Sequence, residues 1–143
     1  MFQYPGVHIP PNVTVKKVFI YSIFAGGLAA FVNSGLYFIL KTWFHIPFIV
    51  TVPFSGATHA IVTVEQVMLA SFIPAFIAGL VLWLVAKFTK FPVRSFLIFS
   101  VAAFFISLYI PFSLHVAAGT KIALSLMHFF AAACIVSVLS TIK

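Results

Sequence analysis

Gln66–Ala86 reads QVMLASFIPAFIAGLVLWLVA, 21 residues without a formal charge. Glu65 stands immediately before it and Lys87 immediately after. A helix of that length rises about 32 Å, close to the ~30 Å hydrocarbon core of a bilayer. Three more apolar runs of similar length occupy about 18–40, 95–112 and 121–142. The four runs use more than half of the 143 residues and leave no soluble domain of useful size. We therefore expect one integral membrane domain over residues 1–143. Composition agrees: 64% of residues are apolar, 19 are phenylalanine and 6% are charged, against roughly 25% charged in a soluble domain. Mean hydropathy is +1.24. The run at 18–40 is too long for a signal-peptide core of about 7–15 residues. It follows a polar lead with Pro5, Gly6, Pro10 and Pro11, read as irregular or polyproline-like chain, and is expected to be an uncleaved membrane helix.

The connections set the order of elements. Thr14 suits the N-cap of the first helix. Thr63 with Gln66 three residues later forms a capping box for the second. Pro92 suits the first turn of the third. Pro74 falls inside the second run, where it removes a backbone hydrogen bond and favours a kink. Between the first two runs, Ile46–Val52 and His59–Val64 are β-branched and flank Pro53–Thr58, which carries turn chemistry. Residues 46–64 thus read as a β-hairpin too short to cross a membrane. It should rest on the bundle, the lipid interface or a neighbouring subunit. The fold expected is an all-α membrane architecture: an antiparallel four-helix transmembrane bundle with a short extracytoplasmic β-hairpin between helices 1 and 2.

The net charge of +7 does not indicate nucleic acid. The basic residues sit at the ends of the apolar runs, at Lys16, Lys17, Lys41, Lys87, Lys90, Arg94, Lys121 and Lys143, where they serve topology and lipid headgroup contacts. With four spans, six of the eight fall on the side holding both termini, which the positive-inside rule places in the cytoplasm. Along the first run Gly26, Ala30 and Ser34 recur every four residues and offer a smooth face for close helix approach. Asn33 lies beside them and must face protein, because an unbonded amide in hydrocarbon is costly.

The stretches Ala70-Ser71-Phe72-Ile73-Pro74-Ala75, Phe91-Pro92 with Arg94, Ser107-Leu108 with Pro111, and Leu126-Met127-His128-Phe129-Phe130-Ala131-Ala132 resemble the small bacterial four-helix membrane proteins catalogued as domain of unknown function 6069. The likeness covers about residues 16–142. It implies four spans and a bacterial inner membrane. The family brings no assigned activity, so the resemblance adds no catalytic residue.

Glu65 is the only acidic side chain. Paired-carboxylate catalysis, a Ser-His-Asp triad and a carboxylate-rich Mg or Ca site cannot be assembled within one chain. No phosphate-binding or dinucleotide glycine motif is present. Cys134 stands alone, so no intrachain disulfide forms. No cofactor, metal or catalytic residue is assigned. Histidine carries the remaining chemistry. His45, His59 and His115 form, with Glu65, a candidate outer-face polar cluster, but no histidine pair has the i, i+4 spacing of helical metal ligands. His128 lies about 10 Å into the fourth span by helix rise. An ionisable group there is a functional hypothesis by default, and Ser125 one turn earlier shares its face. His128, Ser125 and Asn33 are the candidate intramembrane polar site. The function expected is a non-enzymatic, oligomeric structural or accessory membrane component, surrounded by lipid and partnered with itself or with a membrane complex. The alternative is a small transporter or channel working through His128.

Overall fold

The computed structural model of the chain describes residues 13–50 and 60–142. It holds four long helices: α1 (Val15–Thr42), α2 (Val64–Phe88), α3 (Pro92–Ser113) and α4 (Ala118–Leu139). Each is long and apolar enough to cross a membrane. The polyproline-like lead, His8, the hairpin turn at 53–58 and His59 lie outside the described residues.

The helix starts are chemical. Thr14 accepts a hydrogen bond from the Lys17 N–H at 3.3 Å, satisfying one of the orphan donors of α1. At α2 the capping box is complete: the Thr63 hydroxyl accepts from the Gln66 N–H and the Gln66 side chain accepts from the Thr63 N–H. Pro92 opens α3 at its first turn. Helix α4 begins at Ala118, one turn before Lys121, and has no side-chain cap. Both internal prolines stay inside their helices: α2 runs through Pro74 and α3 through Pro111.

Of the hairpin expected over residues 46–64, the structure describes the base. Its described ladder is two residues a side, β1 (Ile49–Val50) and β2 (Ala60–Ile61), antiparallel with Ile49 opposite Ile61 and Val50 opposite Ala60. Phe48 and Val62 continue the pairing, the Val62 N–H donating to the Phe48 carbonyl at 2.8 Å, and the bundle takes up further polar groups beside it. The Pro47 carbonyl accepts from Thr120 Oγ1 on α4 at 2.7 Å. The Val62 carbonyl accepts from the Tyr37 hydroxyl on α1 at 2.9 Å. Phe48 is buried, its ring 4.7 Å from that of Tyr37. Of the three resting places open to the hairpin, its base takes the helix bundle. His45, with φ of 51°, turns the chain out of α1 toward it; a left-handed backbone is uncommon for a non-glycine residue, though histidine adopts it more readily than most.

Two apolar clusters fill the interior. One holds Val18, Ala25, Ala29, Ala75, Leu82, Phe96, Ile135 and Leu139. The other, toward the hairpin, holds Tyr37, Leu40, Phe48, Val67, Ala123 and Met127. Helix α1 packs on α2 and α4, and α3 packs on α2 and α4. Closeness at the α1–α2 seam comes from small residues. A Cβ at Gly26 would meet the Phe72 ring at 3.1 Å and the Ala75 methyl at 3.3 Å, and one at Gly79 would overlap Ser22 Oγ. The stripe Gly26, Ala30, Ser34 therefore begins as an intrachain surface. Gly26 and Ala30 are buried, and the matching face on α2 is Ser71, Ala75 and Gly79, again four residues apart and all buried.

Candidate functional site

Between the two apolar clusters sits one polar junction. Asn33 is 3% exposed. Its Nδ2 donates to Ser71 Oγ on α2 at 2.9 Å and to the Met127 carbonyl on α4 at 3.0 Å. One amide thus ties three helices. The Met127 carbonyl can only accept, so it fixes which end of the amide faces it. Ser71 passes its own proton to the Val67 carbonyl at 2.8 Å. Asn33 Oδ1 is buried and has no hydrogen-bond partner among the described residues. A buried acceptor left unmade costs about 1–3 kcal/mol, and this one is sealed inside the junction, out of contact with the neighbouring space.

Asn33 lines a cavity of about 610 Å³, open on one side and walled mainly by α2, α3 and α4. The wall from α3 is one face of that helix, Phe96, Ser100, Ala103, Ser107 and Ile110 among it. The wall from α4 includes Met127, His128, Ala131 and Ile135, and that from α2 includes Gln66, Ser71, Pro74 and Val81. Polar groups gather at one end. Gln66 and Ser71 belong to the first half of α2, Ser107 to the second half of α3, and His128 to the middle of α4. Val81, Phe96, Ile135 and Val136 make the other end apolar.

His128 is half-buried, and its Nδ1 lies 2.8 Å from the Leu124 carbonyl one turn back. The carbonyl can only accept, so Nδ1 carries a proton in this contact. The prolines add polar groups to the lining. Pro74 and Pro111 lack N–H groups, so the carbonyls of Ala70 and Ser107, four residues earlier, lose their helical donor; both residues line the cavity.

A family model described as Family of unknown function (DUF6069) matches residues 13–142. The chain belongs to that family. Searches of curated proteins and of solved structures found no match. In this DUF6069 member the stretches that carried the resemblance are also cavity walls: Ala70, Ser71 and Pro74 from one, Ser107 from another, Met127, His128, Ala131 and Ala132 from a third. By helix length and composition it is a multi-pass membrane protein.

Of the three residues expected to form the intramembrane site, Asn33 and His128 share the cavity and Ser125 does not. Ser125 returns its hydroxyl to the Lys121 carbonyl at 2.9 Å and lies outside the lining. Three residues of helix rotate about 300°, which puts Ser125 near His128 yet turned off the cavity wall. Ser71, Ser100 and Ser107 were the polar residues to find. Ser71 was legible through its four-residue spacing with Ala75 and Gly79; Ser100 and Ser107 share a face of α3 at seven-residue spacing.

Of the candidate outer-face cluster, His59 lies outside the described residues. His45 follows α1, Glu65 lies in the first turn of α2 and His115 lies between α3 and α4; all three are exposed. Among the described residues no group of three histidine, cysteine, aspartate or glutamate side chains is placed to hold a metal ion. At the other end of α2, Lys87 Nζ lies 3.5 Å from the centre of the Trp83 ring, and Arg94 stands over Phe91 at 5.6 Å. These cation–π pairs fit a basic, aromatic interface.

Proposed function

We propose that this chain is a non-enzymatic membrane protein of the small-transporter kind that binds a lipophilic molecule in the chamber among α2, α3 and α4. The observation that carries this reading is the meeting of Asn33, Gln66, Ser71, Ser107 and His128 at one end of a cavity whose remaining lining is mostly apolar. A bundle serving only as scaffold has no need of a 610 Å³ space lined by an imidazole, two amides and three serines. The orientation that goes with it is antiparallel and four-span in a bacterial inner membrane. Lys16, Lys17, Lys87, Lys90, Arg94 and Lys143 then face the cytoplasm with both termini, and Lys41 and Lys121 face outward. In that frame the polar end of the chamber lies in the outer half of the membrane. The test is saturable binding of the fluorophore 1-aminoanthracene to the full chain in lipid nanodiscs. Binding should saturate and be lost in the cavity-filling variant Ala132→Phe. Signal that is non-saturable and equal in both proteins overturns the reading.

A second reading, a homo-oligomeric accessory component or a subunit of a membrane complex, is favoured by one feature. A groove along α1 and α2 is lined by Gly27, Ala30, Phe31, Ser34, Met68 and Phe72, and a Cβ at Gly27 would meet nothing within 4 Å. Small residues there admit another helix closely. Gly27→Leu should lower the mass of the detergent-extracted particle, and an unchanged mass would remove this reading.

A further inference from the structure

The two ends of the bundle hold their cations differently. Lys16 and Lys17 lie in the first turn of α1, Lys87 in the last turn of α2, Lys90 in the link and Arg94 in the first turn of α3. Val18, Ala86, Phe96 and Leu139 belong to one buried cluster, so these helix ends meet at one end of the molecule and gather their charges there. At the other end the cations are bonded within the chain: Lys41 Nζ donates to the Tyr37 hydroxyl at 3.1 Å and Lys121 Nζ to the Phe112 carbonyl at 3.2 Å. Around the α2–α3 link the contacts are with rings instead, Lys87 on Trp83 at 3.5 Å and Arg94 on Phe91 at 5.6 Å, and Lys90 is exposed. An aromatic ring carries no net charge, so it orders a cation without neutralising it. Glu65, the one acidic side chain, opens α2 and Lys87 closes it. The helix between them rises about 33 Å, several times the ~8 Å screening length at physiological salt. Beside the cations lies apolar surface: Leu84, Phe88 and Phe91 are exposed.

We propose that the α2–α3 link is a docking surface for an anionic phospholipid, with the lipid phosphate among Lys87, Lys90 and Arg94 and the acyl chains against Leu84, Phe88 and Phe91. The occupant is an amphiphile because the cations border apolar side chains that a free phosphate would leave bare. It is anionic because a zwitterionic headgroup brings its own ammonium to the cations and cancels much of the attraction. Trp83 holds Lys87 at the headgroup level, where an indole itself is stable, so that side chain is ordered before the lipid arrives. The opposite end, with its lysines already bonded, lacks this selectivity.

The two tryptophans report the two ends. Trp83 stands beside the link and Trp43 caps α1 at the other end. The full chain is reconstituted in phosphatidylcholine vesicles that contain either phosphatidylglycerol or phosphatidylcholine with brominated acyl chains, which quench an indole they touch. In Trp43→Phe, where Trp83 emits, brominated phosphatidylglycerol should bind about fivefold or more tightly than brominated phosphatidylcholine, the factor that one engaged cation supplies. In Trp83→Phe, where Trp43 emits, the ratio should stay within about twofold. Adding Lys87→Gln, Lys90→Gln and Arg94→Gln to Trp43→Phe should bring the ratio at Trp83 down to that level, with quenching by brominated phosphatidylcholine unchanged. Lys90→Gln alone, at an exposed side chain, should lower the ratio too and keeps the test open where the triple variant misfolds. Equal quenching by the two lipids at Trp83 overturns the proposal. A preference equally large at Trp43 is attraction of the whole basic protein to anionic lipid and overturns the link as its seat. A preference at Trp83 that survives the triple substitution overturns the assignment to these three side chains.

Discussion

Where α1 meets α2, Ser22, Ala25, Gly26, Ala29 and Ala30 lie buried against a face carrying Ser71, Ala75 and Gly79. Where α3 meets α2 and α4, two of its 22 residues are buried, Phe96 and Pro111, and the space between holds about 610 Å³. Both regions are apolar with a few serines. The difference lies in the size of the side chains. Methyl and hydrogen side chains let two backbones close on each other and leave no room for anything else. The Phe, Ser and Ala of α3 alternate large and small, hold the helix off its neighbours and leave the room that a ligand needs. In lipid there is no hydrophobic penalty for an apolar face left outward, so an exposed Phe99, Phe105 or Phe112 is compatible with a stable α3.

That contrast can be broken most severely at Gly79. Leucine there must displace Ser22 and Val18 from the tight side, and overpacking of a closed seam costs about 3 kcal/mol or more. The expected outcome is loss of monodisperse protein on size exclusion in detergent; a normal profile would mean that the seam is not closed. Asn33→Ala tests the junction between the two regions. It removes both inter-helix bonds, and at about 0.6–1.7 kcal/mol per bond within a membrane bundle thermal or denaturant unfolding should show a loss of about 2 kcal/mol. The smallest effect belongs to the open side. Ala103→Leu adds three carbons into the cavity and should change stability by less than about 0.5 kcal/mol in the same assay, within the range of substitutions that touch no special feature. A cost comparable to that at Gly79 would show that α3 closes onto α2 and α4 in lipid.

Much of this architecture was legible. Length, the uncharged run 66–86 and the single acid fix four long apolar helices, and Thr14, the Thr63–Gln66 box and Pro92 mark three of the four starts to within a residue. Asn33 was readable as buried because hydrocarbon offers an amide no alternative. The site was legible in part. His128 stood out as a polar residue in an apolar run, and it does line the cavity. Ser125 was paired with it through spacing alone. Spacing says which residues neighbour each other on one helix, and not which way that helix turns in the bundle; the hydroxyl found a carbonyl of its own helix. The cavity itself was not readable, since it depends on how far α3 stands from α2 and α4. The two-stranded pairing was legible from β-branched composition, and its seat was not: Pro47, Phe48 and Val62 tie its base to α1 and α4.

The reach of Asn33 bears on how the molecule is made. Its second partner, the Met127 carbonyl, lies 94 residues later in the chain. At about 5–20 residues per second a ribosome needs roughly 5–19 seconds to supply it. During that interval the first two spans, if already delivered to the bilayer, hold an amide that Ser71 satisfies only in part. The junction at Asn33 is therefore completed only when α4 arrives. A polypeptide truncated before residue 127 should be retained at the insertion machinery or degraded.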